Sequence, residues 1–165
     1  VLPIVNENDT VAVDEIRFGD NDTLAGLVAL VADADLLLLL TDTDGFYDAD
    51  PRREPAARRI ADVWNLSPLS QMAGRAGSSV GTGGMRTKLK AADIAMDAGI
   101  DTVIAAADEP NVLCRVASGE PLGTVFHARQ DRVPRKKLWM VHSTRAAGRV
   151  TLDEGAVDAV LGRSA

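Results

Sequence analysis

Asp35-Leu36-Leu37-Leu38-Leu39-Leu40-Thr41-Asp42-Thr43-Asp44-Gly45 sets an uninterrupted apolar run against a turn of small and acidic residues. Periodicity alone leaves a run of leucines open to helix or strand. Its neighbours separate the two. Upstream, Gly19-Asp20-Asn21-Asp22 is a turn in which Asn21 or Asp22 can accept bonds from the free N–H groups of a helix start. Leu24, Leu27, Val28 and Val31 follow at helical spacing and predict a helix to about Ala32. A helix, an apolar run and a polar turn in that order read as a central parallel strand covered on both faces.

The same alternation extends outward. Val1 to Val5 reads as a short buried strand and Val11 to Phe18 as a strand or hairpin arm. Asp50-Pro51 marks an irregular stretch, and Ile60 to Leu69 offers only short local structure. A glycine- and serine-rich stretch, Gly74 to Gly84, precedes Met85, Leu89, Ala92 and Met96, one stripe of a helix ending at Gly99. Thr102 to Ala105 is a second buried strand, Asn111 to Ala117 a helix behind Pro110, and Thr124 to Phe126 a last short strand. Strands alternating with helices predict an α/β fold with a parallel sheet. From Arg129 the character changes: Arg129, Arg132, Arg135, Lys136 and Lys137 crowd around Pro134, a domain edge with Leu138 to Val141 as a strand beyond it.

Composition narrows the function classes. With 46% hydrophobic and 25% charged residues the chain suits a folded domain with a real core. A net charge of -6 argues against general nucleic-acid binding. No stretch approaches the roughly 20 apolar residues that span a bilayer. The single cysteine, Cys114, excludes an internal disulfide, suits a reducing compartment and reads as a buried thiol. His127 and His142 lack metal-ligand spacing with it, and Trp64 and Trp139 read as packing residues. The start is not a signal peptide, and it looks like the cut end of a longer chain.

Three stretches can carry chemistry. In Thr82-Gly83-Gly84-Met85-Arg86-Thr87-Lys88, glycines before a helix let backbone N–H groups approach a phosphate. Arg86 and Lys88 read as first-turn residues of that helix, where the macrodipole disfavours cations by about 0.3–1 kcal/mol each, a conflict that a bound anion removes. The alternative is a plain loop before a solvated helix, and the run is no Walker A loop because Met85 follows the second glycine. Thr41-Asp42 lies where ligands bind in open parallel sheets, at a strand's carboxyl end, and is otherwise a simple turn. Asp9, Asp20 and Asp22 with Asn6 and Asn21 gather carboxylates that repel unless a metal ion or an ammonium group lies between them.

Taken in order, these segments resemble the amino acid kinase family. The match rests on Gly19 to Asp22, on Leu37-Leu38-Leu39-Leu40-Thr41-Asp42 with Asp44-Gly45-Phe46-Tyr47 and Asp50-Pro51, and on Gly81-Thr82-Gly83-Gly84-Met85 with Thr87-Lys88. Within that family, Ile4-Val5-Asn6-Glu7-Asn8-Asp9 and Gly81 to Lys88 are similar to the glutamate 5-kinases, and the likeness runs through His127-Ala128. It implies a three-layer αβα sandwich with a mainly parallel open sheet, incomplete at its N-terminus, and a cytoplasmic enzyme of proline biosynthesis. ATP and Mg2+ are the implied cofactors, L-glutamate the acceptor, proline a feedback inhibitor, and a homo-oligomer the assembly.

By the same resemblance, Thr41, Asp42, Thr82, Gly83, Gly84, Met85, Arg86, Thr87 and Lys88 contact ATP, and Asn6, Asp9, Asp20 and Asn21 contact glutamate. Lys88 stabilises the transferring phosphoryl group and Asp22 holds the catalytic groups, while the metal ligands stay unassigned. Residues 1–130 correspond to the C-terminal, ATP-binding part of the kinase domain, 131–147 to a basic linker, and 148–165 to the opening of a PUA domain. The family's glycine-rich loop and a further phosphate-binding lysine come from an N-terminal half that these residues lack, so the isolated piece is expected to show little kinase activity. A kinase for another small acid, an inactive ligand-binding piece and an RNA-binding module around Arg129 to Lys137 are the rival readings.

Overall fold

The computed structural model of the chain describes residues 3–5, 21–66, 83–130, 137–138, 140–141, 148 and 150–162. The leucine run forms β1 (Leu36–Thr41), with α1 (Asn21–Ala32) before it as expected. Asp33 takes a left-handed conformation (φ 55°), which ends the helix. β2 (Phe46–Tyr47) and β3 (Arg59–Ile60) form a small antiparallel pair, followed by β4 (Asp62–Val63). α2 (Gly83–Asp97) carries the expected stripe, with Ala92 and Met96 buried and Met85 and Leu89 packed against them. β5 (Asp101–Ala106), α3 (Val112–Ala117), β6 (Thr124–Phe126) and α4 (Glu154–Gly162) complete the elements.

The main sheet has the order β1-β5-β6-β4. β1 and β5 run parallel from Leu36 opposite Asp101 to Thr41 opposite Ala106, and β4 runs parallel to β6. β6 itself runs antiparallel to β5, where sequence reading expected a parallel strand. The link between them carries α3 and re-enters the sheet at Gly123 (φ 72°), where a Cβ would lie 2.0 Å from the Ile104 carbonyl oxygen of β5.

Leu37, Leu39, Ile104 and Phe126 face one side and pack beneath Ala29 of α1 and Ala92, Ala95 and Met96 of α2. Val103 and Ala105 face the other side with Leu38 and Val125 and meet Val112 and Val116 of α3. Helices therefore flank both sides of the sheet, in three layers. Coverage is uneven. Leu37 and Leu39 are buried and each contribute about 1.5–3 kcal/mol. Leu36 and Leu40 remain 37% and 40% exposed on the thinner side. Among the described residues β1 is an edge strand, so the expectation of a central strand covered on both faces does not hold for it.

Other local expectations shift for stated reasons. The buried face of α1 is Thr23, Gly26, Leu27 and Leu30, and Val28 and Val31 point outward, because a close crossing with α2 fixes the helix's rotation. Cys114 is exposed, since Val112 and Val116 occupy the inward face of α3. Leu138 and Val141 are helical rather than extended, and Leu138 is buried against Leu27, Leu30 and Ile94. Pro3 to Val5 form no strand and are exposed, without a sheet partner among the described residues. Val11 to Phe18, Gly74 to Gly81, Trp139 and His142 lie outside the described residues.

Candidate active site

Two close approaches of the chain build the site. The first is the crossing of α1 and α2, where a Cβ on Gly26 would lie 3.0 Å from the Ala91 carbonyl oxygen and 3.2 Å from its Cα. One turn earlier on these helices stand Asp22 and, facing it, Thr87 and Lys88. Residues four apart share a helix face, so the crossing brings these side chains together. Lys88 Nζ lies 3.1 and 3.0 Å from the Asp22 carboxylate oxygens. Thr87 Oγ1 lies 2.6 Å from Asp22 Oδ2 and 2.8 Å from the Gly84 carbonyl oxygen. The Lys88 and Asp22 side chains are only 14% and 22% exposed, which fixes the ammonium in position.

The second approach anchors the loop after β1. The Phe46 N–H donates to Thr124 Oγ1 at 2.8 Å, and that buried hydroxyl lies 2.6 Å from the Ile60 carbonyl oxygen, within donating distance. Gly45 (φ 152°) passes so close that a Cβ would meet Thr124 Oγ1 and the Arg59 Cδ at 2.8 Å. On this anchored loop Thr41 donates to Asp42 Oδ1 at 3.1 Å, and Arg52 donates to Asp42 Oδ2 at 2.5 Å. The Arg52 hydrogen bond, with help from Thr41, holds the Asp42 carboxyl below the usual carboxylate range. Tyr47 donates its hydroxyl to Asp44 Oδ1 at 2.7 Å, which raises the phenol's pKa above its ordinary value.

A cavity of about 340 Å³ lies between the two approaches. Thr41, Asp42, Tyr47 and Arg52 line it from the loop, and Gly84, Met85 and Lys88 from α2. Five of the residues singled out from sequence thus meet at one site: Thr41, Asp42, Gly84, Met85 and Lys88. Thr87 adjoins it through Asp22, Gly83 opens α2, and Arg86 is exposed outside the lining. Lys88 is the sixth residue of α2 and so lies beyond the first turn in which sequence reading placed it. Asn21 begins α1 beside Asp22. Asn6, Asp9, Asp20 and Thr82 lie outside the described residues.

Sequence reasoning gave no role to Arg52, Tyr47 or Asp50, which also line the cavity. The Asp50-Pro51 turn was the available signal, since it aims the residue after it across the loop. Among the described residues no group of three or more His, Cys, Asp or Glu could hold a metal ion. Asp22 is already bonded by an ammonium and a hydroxyl. These side chains therefore form no protein-built cage for Mg2+. Away from the cavity, Trp64 is 70% exposed and stacks on His127 with ring centroids 3.7 Å apart, so it is a surface ring and not a core packing residue.

The cavity's place, at the carboxyl end of a parallel strand and the start of a helix, is where open αβα proteins hold ligands. Residues 1–106 match the amino acid kinase family, and the chain belongs to that family. It is 54% identical over 162 residues to a glutamate 5-kinase of Bordetella pertussis, covering 98% of this chain and 43% of that protein. The chain thus spans less than half the length of the curated relatives it matches. Solved structures share the fold. A UMP kinase from Bacillus anthracis superposes with a TM-score of 0.52 at 21% identity, over 67% of this chain and 41% of its own. A carbamate kinase from Giardia lamblia bound to AMP-PNP gives a TM-score of 0.52 at 20% identity, over 67% and 36%.

Proposed function

We propose that the protein containing this chain is a glutamate 5-kinase that transfers the γ-phosphoryl group of ATP to the side-chain carboxylate of L-glutamate. The observation that carries this reading is the fixed Lys88 ammonium at the wall of a cavity shared by the α2 start and the loop after β1. The name and the 54% identity of the Bordetella pertussis relative supply the acceptor.

The chemistry asks little of the protein beyond placement and charge. A glutamate carboxylate is already ionised at neutral pH, so no general base is needed. One carboxylate oxygen bonds to the γ-phosphorus as the bond from that phosphorus to the β,γ-bridging oxygen breaks, giving glutamyl 5-phosphate and ADP. Negative charge on the moving group and the departing ADP is met by Lys88 and by the free N–H groups at the start of α2. Asp22 and Thr87 keep the ammonium aimed. Thr41 and Asp42 border the rest of the nucleotide. Magnesium would arrive with ATP and be held by phosphate oxygens and water, as its hydration chemistry favours.

Glutamate is assigned to Asn6, Asp9, Asp20 and Asn21, and the proline feedback, homo-oligomer and cytoplasmic location belong to the same proposal. The test is ATP-dependent hydroxamate formation by the intact protein with hydroxylamine and glutamate. Product with glutamate and none with N-acetylglutamate or aspartate supports the reading. Turnover only with another acid contradicts it.

A further inference from the structure

The helix pair that sets Lys88 against Asp22 is held at its other end by a third piece of chain. α1 and α2 run the same way, and their contacts follow in order: Asp22 with Lys88, Gly26 with Ala91, then Leu27 and Leu30 with Ile94. The last three side chains form a cluster apart from the main core, and Leu138 completes it at 3% exposure. Lys137, Met140 and Val141 stay exposed, so among the described residues of that short helical piece Leu138 alone is buried. Arg129 ties the chain between β6 and Leu138 to α2. Its N–H donates to the Met96 carbonyl oxygen at 3.0 Å, and its guanidinium bonds Asp93 at 2.6 Å and Asp97. Asp93 and Asp97 stand four apart on one helix face, where like charges repel without a cation between them. The first arginine of the basic stretch is thus committed to α2.

Gly26 and Ala91 meet backbone to backbone, a narrow waist about which the two helices can tilt. The Asp22 pairing lies one turn before that waist and the Leu138 cluster about one turn past it, with Leu30 about 12 Å along α1 from Asp22. Filling the groove at one end fixes the gap at the other. We infer that Leu138 is a positioning residue for Lys88: wedged between α1 and α2, with Arg129 holding the chain behind it, it sets the tilt of the helices and so the alignment of Asp22 with the ammonium. The consequence for turnover rests on the kinase reading above, whereas the mechanical coupling is independent of it.

The test uses the intact protein and compares Leu138→Ala with Val116→Ala, which opens a cavity under α3 on the other side of the sheet. Leu138→Ala is expected to lower kcat by about tenfold, since a shift of well under about 1 Å at the reacting groups suffices, with KM for ATP and glutamate nearly unchanged. Leu138→Met, of similar volume, should restore most of the rate, and Val116→Ala should leave kcat nearly unchanged. In an Asp22→Asn background Leu138→Ala should lower kcat no further, because the alignment is already lost. A second readout needs no substrate. Leu138→Ala and Asp22→Asn, distant and without a common partner, should depart from additivity by more than about twofold in the unfolding equilibrium constant. Should Leu138→Ala fail to fold, Arg129→Gln, which loosens the chain without opening the core, takes its place in each comparison with the same outcomes. An unchanged kcat, or additive losses with Asp22→Asn in either measure, overturns the inference. An unaltered protein that phosphorylates no acid removes the kinase reading, and the unfolding measurement then decides the inference alone.

Discussion

Gly26 rests on the backbone of Ala91 so closely that a Cβ there would lie 3.0 Å from its carbonyl oxygen, one turn from the pairing of Asp22 with Lys88. The absence of a Cβ at Gly26 thus sets the spacing of α1 and α2, and that spacing sets the position of the ammonium. Gly26→Ala is expected to shift the helices by a few tenths of an ångström and cost about 1–3 kcal/mol. Thermal melting should show a lower midpoint, and kcat should fall because Asp22 moves with α1.

Lys88 and Asp22 should separate stability from activity. Lys88→Met is expected to lower kcat by about 10²–10³-fold, the usual effect of removing one group that meets transition-state charge. Asp22→Asn leaves a mostly buried ammonium without its counter-charge and should cost about 1–3 kcal/mol of stability. The double variant should regain part of that stability and none of the activity. Denaturant melts and steady-state kinetics on all three proteins check the pattern.

Thr124 lies far from the cavity in sequence, yet its hydroxyl serves both Phe46 and Ile60. Thr124→Val is isosteric and strands those backbone groups, a cost of about 1–3 kcal/mol. With the loop after β1 loosened, KM for ATP is expected to rise more than kcat falls. Initial-rate kinetics at varied ATP would show it.

A pH effect follows from the end of α3. Glu120 accepts from Arg115, whose other guanidinium nitrogen pairs with Glu109. The Arg115 hydrogen bond lowers the Glu120 pKa below its ordinary 4.5. A lowered carboxylate pKa adds stability that is fully present above the ordinary value and is lost as pH falls through the folded one. Glu120→Gln is therefore expected to melt lower than the unaltered protein at pH 7, with the gap closing as pH drops below 4.5. Melting curves across that range decide it.

The leucine run, the Met85 to Met96 stripe and the turn after Leu40 were readable because each is a local pattern. Periodicity names the helix, the flanking helix and turn name the leucine strand, and a strand's carboxyl end names the place for a ligand. The direction of β6, the rotation of α1 and the exposure of Cys114 were not readable. Each is settled by what packs against it: the close approach of Gly123 to Ile104 in β5, the Ala91 backbone, and the inward Val112 and Val116. Arg52 escaped for a related reason. A lone arginine after a proline turn has meaning only once folding sets it opposite Asp42.

The central claim is that the α2 start and the loop after β1 serve one triphosphate. A crystal structure of the intact protein with a non-hydrolysable ATP analogue tests it most directly. The account predicts the γ-phosphate within hydrogen-bond distance of Lys88 Nζ, with Thr41 and Asp42 bordering the same nucleotide. An analogue bound elsewhere, with Lys88 still closed on Asp22 and the cavity empty, would contradict it.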